Sequence, residues 1–314
     1  MNLPTFADIE KAHGRIRPYI HHTPVLSSKS INEIVGAELL FKCENFQKVG
    51  AFKFRGACNS VFSLTDGEAR NGVCTHSSGN HAAALALAAR MRGIRAYIVM
   101  PENAPEIKKV AVAGYGAQIT FCTPTQEARE TTLKKVAAET GATEIHPYNY
   151  FNVICGQGTA AKELIEEVGT LDVVMAPVGG GGLLSGTALS AKAILPNAQV
   201  IAAEPAGAAD AFRSFYTKTL QLSVAPKTIA DGLLTSLGSL TFPLVLDNVD
   251  QIATVSEEGI VAAMRMIWER MKIIVEPSSA VPLAAILENK VEVKGRKVGI
   301  ILSGGNVDLG RLPF

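Results

Sequence analysis

Short apolar runs recur along this chain with longer amphipathic segments between them. Ala96 to Met100, Gln118 to Cys122, Asp172 to Pro177, Gln199 to Ala203 and Lys297 to Leu302 are rich in β-branched residues and read as buried strands. The intervening alanine-rich or amphipathic stretches have helical length. Parallel strands need helical crossovers, so this alternation predicts an α/β fold with open, twisted, mostly parallel sheets flanked by helices. One helix is explicit in its spacing: after Ser256-Glu257-Glu258, the apolar residues Ile260, Ala263, Met264, Ile267, Trp268 and Met271 follow a three-and-four rhythm. Its tryptophan is expected in the core. A second helix is expected to start at Ser78-Gly79-Asn80-His81 and run from Ala82 to Arg92, with Gly93 placed to stop it.

Strand-then-helix units between about Gly72 and Tyr148 suit a compact smaller domain. The expected division is therefore a small domain, 72–149, set into a larger one built from 1–71 and 150–314. A length of 314 residues suits about two domains of ~150 residues.

Composition narrows the class. With 47% hydrophobic and 19% charged residues and a net charge of +1, the chain reads as a globular enzyme, and neither its charge nor any basic run predicts a nucleic-acid partner. No apolar segment is long enough to cross a bilayer, and Met1 to Glu10 lack a charged start followed by an apolar stretch, so the expected location is the cytoplasm. The five cysteines, Cys43, Cys58, Cys74, Cys122 and Cys155, form no CxxC pair and are expected as buried thiols. The six histidines show no HExxH pattern, which argues against a zinc site.

Candidate chemistry begins at Lys53, within Gly50-Ala51-Phe52-Lys53-Phe54-Arg55-Gly56. It lies between two phenylalanines, with no acidic residue between Glu44 and Asp66. Burial would lower the amine's pKa and free a neutral nitrogen to act as nucleophile or base, as in a Schiff-base lysine. The alternative is an ordinary lysine with its stem on an apolar surface and its head in water.

Three loops add to this. Val173 to Val178, then Gly179-Gly180-Gly181-Gly182, then Leu183 to Leu195 read as strand, bare-backbone loop and helix. Amides there can converge on a phosphate at the positive end of the helix, although the glycines also suit a tight turn. A dinucleotide fold, with Glu204 about 20 residues on to hold a ribose, would supply the same order of elements. The GxGxxG spacing fails in every register, however, because Leu183, Leu184 or Ser185 falls at the last glycine. Ser303-Gly304-Gly305-Asn306 follows the strand Val298 to Leu302 and can present one hydroxyl to a crevice. Thr75-His76-Ser77-Ser78-Gly79-Asn80-His81 gathers hydroxyls, an amide and backbone donors at a helix start, a setting for a small carboxylate or a plain N-cap.

Taken together, the Lys53 segment, Ser77-Ser78-Gly79-Asn80-His81, Gly179 to Gly182 and Ser303-Gly304-Gly305-Asn306 resemble the fold-type II pyridoxal-phosphate enzymes, whose fold is that of the tryptophan synthase β chain. Within them the chain most resembles the serine racemase and serine/threonine dehydratase group, which includes 3-hydroxyaspartate dehydratases. The resemblance runs from about Thr23 to Asp308, with all four motifs in family order. It implies that Lys53 carries the cofactor as a Schiff base, Phe52 packs on its ring, and Asn80 bonds the ring hydroxyl. Gly179, Gly180, Gly181 and Gly182 would hold the phosphate, and Ser303 would meet the pyridine nitrogen. A neutral hydroxyl there makes the ring a weaker electron sink than a carboxylate would, which favours prompt loss of a β-substituent.

The activity so implied is β-elimination of water and ammonia from a β-hydroxy amino acid, serine, threonine or 3-hydroxyaspartate, to give a 2-oxo acid. Ser78, on the face opposite Lys53, would add racemisation. An amino-acid racemase with elimination as a side reaction is the first alternative; a nicotinamide-dependent oxidoreductase and a non-catalytic amino-acid sensor are more distant ones. The substrate carboxylate is expected on Ser77, Ser78, Asn80 and His81. The resemblance also implies a magnesium or calcium ion on Glu204, Asp210 and the Ala208 carbonyl, and a homodimer. Arg129, where serine racemase also has an arginine, would favour a second carboxylate if it faces the cleft, and would otherwise pair with nearby glutamates. Ala82-Ala83 follow His81 where the mammalian racemases carry Gly-Gln at a nucleotide-binding region, a departure that weighs against activation by ATP.

Overall fold

A computed structural model describes residues 2–314. Its ten strands are β1 (Val25–Leu26), β2 (Glu38–Cys43), β3 (Val73–His76), β4 (Ala96–Pro101), β5 (Gln118–Cys122), β6 (Thr143–Glu144), β7 (Val173–Pro177), β8 (Gln199–Pro205), β9 (Gln251–Val255) and β10 (Lys297–Leu302). They form two sheets, in the orders β1-β2-β10-β7-β8-β9 and β5-β4-β3-β6. Every pairing is parallel except that of β1 with β2. The predominantly parallel α/β arrangement read from the chain is the one found.

Helices cover both faces of the larger sheet. Glu257–Met271 and Pro277–Leu287 close one face over Phe41, Met175, Ile201 and Ile300; Phe151–Val168 and Gly182–Ile194 close the other over Val174, Ala202 and Ile301. In the smaller sheet the pleat sends Val73, Ile98 and Met100 toward helices Lys53–Ser63 and Asn80–Arg92, while Cys74, Tyr97 and Val99 meet helix Gln126–Thr140. All five cysteines are buried free thiols. The Trp268 indole donates to the Val275 carbonyl at 3.0 Å and packs on the sheet's helical layer. Among the described residues, no helix is long and apolar enough to cross a membrane.

This topology determines where the site lies. β2, β10 and β7 are adjacent and parallel, so their carboxyl ends open onto one edge. From that edge emerge the segment leading to Lys53, the Ser303 turn and the glycine loop. The carboxyl end of β3 supplies Ser77 and Ser78 from the smaller sheet. Ligands of open α/β sheets bind at such crevices.

Candidate active site

The Lys53 turn and the Ser303 turn are stitched together. Phe52 N donates to Ser303 O at 2.9 Å, Gly305 N donates to Gly50 O at 2.9 Å, and Ala51 forms an isolated antiparallel bridge with Gly304. Lys53 opens the helix Lys53–Ser63, and its amine donates to Pro147 O at 2.9 Å while lying 5.1 Å from the centre of the Phe52 ring. Burial pushes this amine down to about 8, against the opposing pull of the Glu276 carboxylate. The neutral form is therefore far more accessible near physiological pH than for an ordinary lysine, and among the described residues the only hydrogen bond the amine gives goes to a backbone carbonyl.

Asn80 joins three elements. Its Nδ2 donates to Glu276 Oε2 at 3.0 Å and Oε1 at 3.2 Å, its Oδ1 accepts from Asn306 Nδ2 at 2.9 Å, and Asn306 Nδ2 also donates to Val49 O at 2.8 Å. Glu276 is buried and pushed up to about 7, first by burial, despite the bond from Asn80. Ser303 is buried, with its hydroxyl 3.0 Å from that of Ser279, whose oxygen also accepts from Gly304 N at 2.7 Å.

The glycine loop is closed from above. A Cβ at Gly180 would enter the Tyr148 ring, and Gly181 has φ +84°, so neither position accepts a larger residue without displacement. Tyr148 follows the carbonyl that holds Lys53, so the bent segment 145–150 joins the lysine to the loop. Asn149 ties that segment down by accepting from Leu240 N at 2.7 Å. The loop opens the helix Gly182–Ile194, whose first amides have no intrahelical acceptor. Bare amides at a helix start, beside an amine of lowered pKa, fit an anionic cofactor that carries an aldehyde.

On the opposite wall, Ser77 N donates to Val99 O and the Ser77 hydroxyl accepts from Gly79 N at 3.3 Å. The Ser78 hydroxyl has no hydrogen-bond partner among the described residues. His81 is buried, with Nε2 3.3 Å from Ile145 O and Nδ1 unpartnered; burial, then the Lys53 charge, keeps it well below its usual range. Its imidazole is thus a neutral structural group, and His81 offers an anion its first-turn backbone amide.

Arg129, on helix Gln126–Thr140, makes no ion pair among the described residues, and its Nε is buried without a partner. Burial lowers the pKa of the neighbouring His76, Glu130 opposes that shift, and the Arg129 charge adds a smaller push in the same direction as burial. His146 completes this wall. Its Nδ1 accepts from Asn149 N at 3.0 Å and Tyr148 N at 3.3 Å, and burial pushes it down to about 4, so its proton sits on Nε2.

The third group of expected residues lies at the end of β8. Glu204 is buried and accepts from Ala211 N at 3.0 Å and Phe212 N at 2.8 Å. Burial, then the neighbouring Asp210, pushes it up to about 8. Both Asp210 carboxylate oxygens are buried without a hydrogen-bond partner, and Ala208 lies in the intervening turn Ala206–Ala208. Two buried acidic groups with spare lone pairs fit a hard cation. No cluster of three or more acidic, histidine or cysteine side chains occurs among the described residues, so such an ion would draw on carbonyls and water.

Sequence reasoning missed Glu276, Pro147, Tyr148, His146 and Ser279. Glu276-Pro277 reads as an ordinary helix start, and a carbonyl leaves no trace in sequence.

The fold and this crevice are those of an enzyme suited to a phosphorylated carbonyl cofactor. A model of the pyridoxal-phosphate dependent enzyme family matches residues 16–304, and the chain belongs to that family. It is 53% identical over 314 residues to the β-hydroxyaspartate dehydratase of Paracoccus denitrificans, covering 100% of both chains. It is 49% identical to the L-threo-3-hydroxyaspartate ammonia-lyase of Saccharomyces cerevisiae, covering 99% of this chain and 96% of the relative. The crystal structure of serine racemase from Dictyostelium discoideum superposes with a TM-score of 0.93 at 54% identity, covering 97% of this chain and 99% of that one.

Proposed function

We propose that the protein is a pyridoxal-phosphate-dependent lyase that eliminates water and ammonia from β-hydroxy amino acids, with 3-hydroxyaspartate preferred over serine and threonine and with racemase activity alongside. The observation that carries this reading is the amine of Lys53, half-buried, partly neutral and placed where the ends of β2, β10, β7 and β3 meet. Pyridoxal phosphate, when bound, supplies the electron sink that makes an α-proton acidic.

The chain's own groups do the rest. Amides at Gly179 to Gly182 would hold the phosphate, Phe52 would pack on the ring, Asn80 would hold the ring hydroxyl, and the Ser303 hydroxyl would serve the pyridine nitrogen. The substrate carboxylate rests on Ser77, Ser78, Asn80 and the His81 amide. With the cofactor bound, Lys53 would take the α-proton and hand a proton to the departing β-hydroxyl so that it leaves as water, and the enamine released would take up water to give a 2-oxo acid and ammonia. The dinucleotide alternative fits poorly, because Glu204 is buried with both oxygens on backbone amides and cannot reach a ribose. Incubating the purified enzyme with serine, threonine and 3-hydroxyaspartate stereoisomers, while measuring ammonia, 2-oxo acid and chiral products, tests the assignment. Absence of ammonia from every one of them would refute it.

Substrate preference turns on Arg129, whose unpaired guanidinium suits a second carboxylate. Arg129→Ala is expected to lower kcat/KM for 3-hydroxyaspartate by about 10- to 150-fold, the equivalent of a charged hydrogen bond of about 1.5–3 kcal/mol. Serine should be nearly unaffected, and an unchanged preference would remove the arginine from the pocket.

The same reading places magnesium or calcium on Glu204, Asp210 and the Ala208 carbonyl. Either ion, added to chelator-treated protein, is expected to raise its thermal midpoint by several degrees, since an ion at 100 times its Kd contributes about 2.7 kcal/mol. Asp210→Ala should abolish the response; a response that persists would place the ion elsewhere. The reading also includes the division into 1–71 with 150–314 and 72–149, a homodimer, and a cytoplasmic location.

A further inference from the structure

The core behind the catalytic lysine holds charges that the proposed chemistry does not use. Arg55 is fully buried and spends its guanidinium on two carboxylates and a hydroxyl. Nε and Nη2 donate to Glu44 at 2.7 and 2.8 Å, Nη1 and Nη2 donate to Glu163 at 2.8 and 2.7 Å, and Nη1 donates to Thr159 Oγ1 at 3.1 Å. Lys42 adds a second cation, donating to Thr23 O at 2.7 Å and lying 2.9 Å from Glu163. Against the burial penalty, hydrogen bonds from His13 and Arg55 hold Glu163 well below the usual carboxylate range. Two anions therefore face two cations with almost no access to water.

Such a set is a poor source of stability, because desolvating the charges offsets most of their attraction, and apolar residues of similar volume often serve as well. What a forked guanidinium supplies is geometry. Arg55 follows Lys53 by two residues on one helix, which turns ~100° per residue, so the two side chains leave it about 200° apart. Arg55 points into the body of the larger unit when Lys53 points at the crevice.

The guanidinium is the charged member of the ties that hold this helix. The helix meets helix Phe151–Val168 through Gly56 and Gly156, where a Cβ on Gly156 would lie 2.6 Å from both Arg55 O and Gly56 Cα. That contact brings the two backbones close, and neutral ties flank it: Gly56 N donates to Gln157 Oε1 at 3.2 Å and Asn59 Nδ2 donates to Asn152 O at 2.7 Å. Glu163, on the partner helix, and Glu44, just beyond β2, bracket the guanidinium from two separate elements.

We propose that Arg55 is a positioning residue for Lys53: its guanidinium, clamped between Glu44 and Glu163, fixes the rotation of the helix Lys53–Ser63 and so aims the amine into the crevice. This rests on the role given to Lys53 above.

The test uses full-length protein stripped of cofactor, to which pyridoxal phosphate is returned while borohydride-fixed label on Lys53 is counted by peptide mapping. Wild type should label at Lys53; if it does not, the functional reading fails before the positioning claim is reached. Arg55→Lys keeps the charge and loses the fork. It is expected to fold, to label ~10- to 100-fold more slowly, and to lose kcat with little change in KM, because misaiming a reacting atom by about 1 Å costs on that order. Thr159→Val removes one of the five bonds and should slow labelling by a smaller factor in the same direction. Ile9→Val, in the core beside the same helices, should lower the thermal midpoint and leave labelling at the wild-type rate. Wild-type labelling by folded Arg55→Lys overturns the proposal, as does equal slowing by Ile9→Val. If Arg55→Lys does not fold, Thr159→Val decides, and an unchanged rate there overturns it.

Discussion

Lys53→Ala is expected to leave a folded protein with no measurable turnover of any β-hydroxy amino acid. The substitution removes both the group that takes up the cofactor and the base that removes the α-proton, and a positioned base alone is worth about 10²–10⁴-fold. Its structural cost is small. The amine makes one hydrogen bond, to Pro147 O, and lies against Phe52, so circular dichroism and the thermal midpoint should stay near those of wild type. The yellow colour that borohydride bleaches, and the label it fixes at residue 53, should be lost with activity. In wild-type protein stripped of cofactor, attachment should speed up as pH rises and reach half its maximum near 8, well below the ordinary lysine value of 10.5. The sign follows from burial, which disfavours the ammonium form and outweighs Glu276; the other titratable groups facing the amine, His81 and His146, are held neutral and do not reverse it. Wild-type turnover in Lys53→Ala would remove the lysine from the chemistry altogether.

The parts of this site that are legible in sequence are those fixed to the ends of strands. Ser303, Gly179 to Gly182 and Ser77 each follow a strand directly, so a local pattern announces them and the parallel topology brings them together. The parts that escaped notice come from segments whose nearness is purely tertiary. Pro147 and Tyr148 matter because 145–150 crosses over the glycine loop, and Glu276 matters because it folds back onto Asn80.

Charges were the hardest to place. Glu44, Arg55 and Glu163 are far apart in the chain, and each taken alone reads as solvent-facing, since such residues are rarely buried unless paired. Lys42 likewise interrupts an otherwise apolar run and conceals β2 as a strand. β1 and β6, two residues each, are too short to carry any periodicity. For Arg129, spacing on a helical face with glutamates nearby favours a surface pair over the cleft. The absence of an acidic partner, with its Nε buried, is a three-dimensional fact that no spacing could supply.

Ser78→Ala is expected to separate the two activities. Inversion at the α-carbon requires a proton delivered from the face opposite the one Lys53 uses, whereas elimination from the L-isomer requires only Lys53 and departure of the β-hydroxyl. The Ser78 hydroxyl suits that second role because no group among the described residues competes for it, and it sits two residues before Asn80, which is held by Glu276 and Asn306. Alanine preserves the backbone amides that receive the substrate carboxylate, so KM for L-serine should change little. Racemisation should fall by about 10²–10⁴-fold, the usual worth of a positioned acid–base group, while ammonia release from the L-isomer falls by less than about tenfold. Release from the D-isomer, whose α-proton points toward Ser78, should fall with racemisation. Chiral chromatography and an ammonia assay on the same reaction mixtures read all three quantities together. Equal losses in racemisation and in L-elimination would mean that one face handles both protons, and Ser78 would then be a carboxylate ligand only.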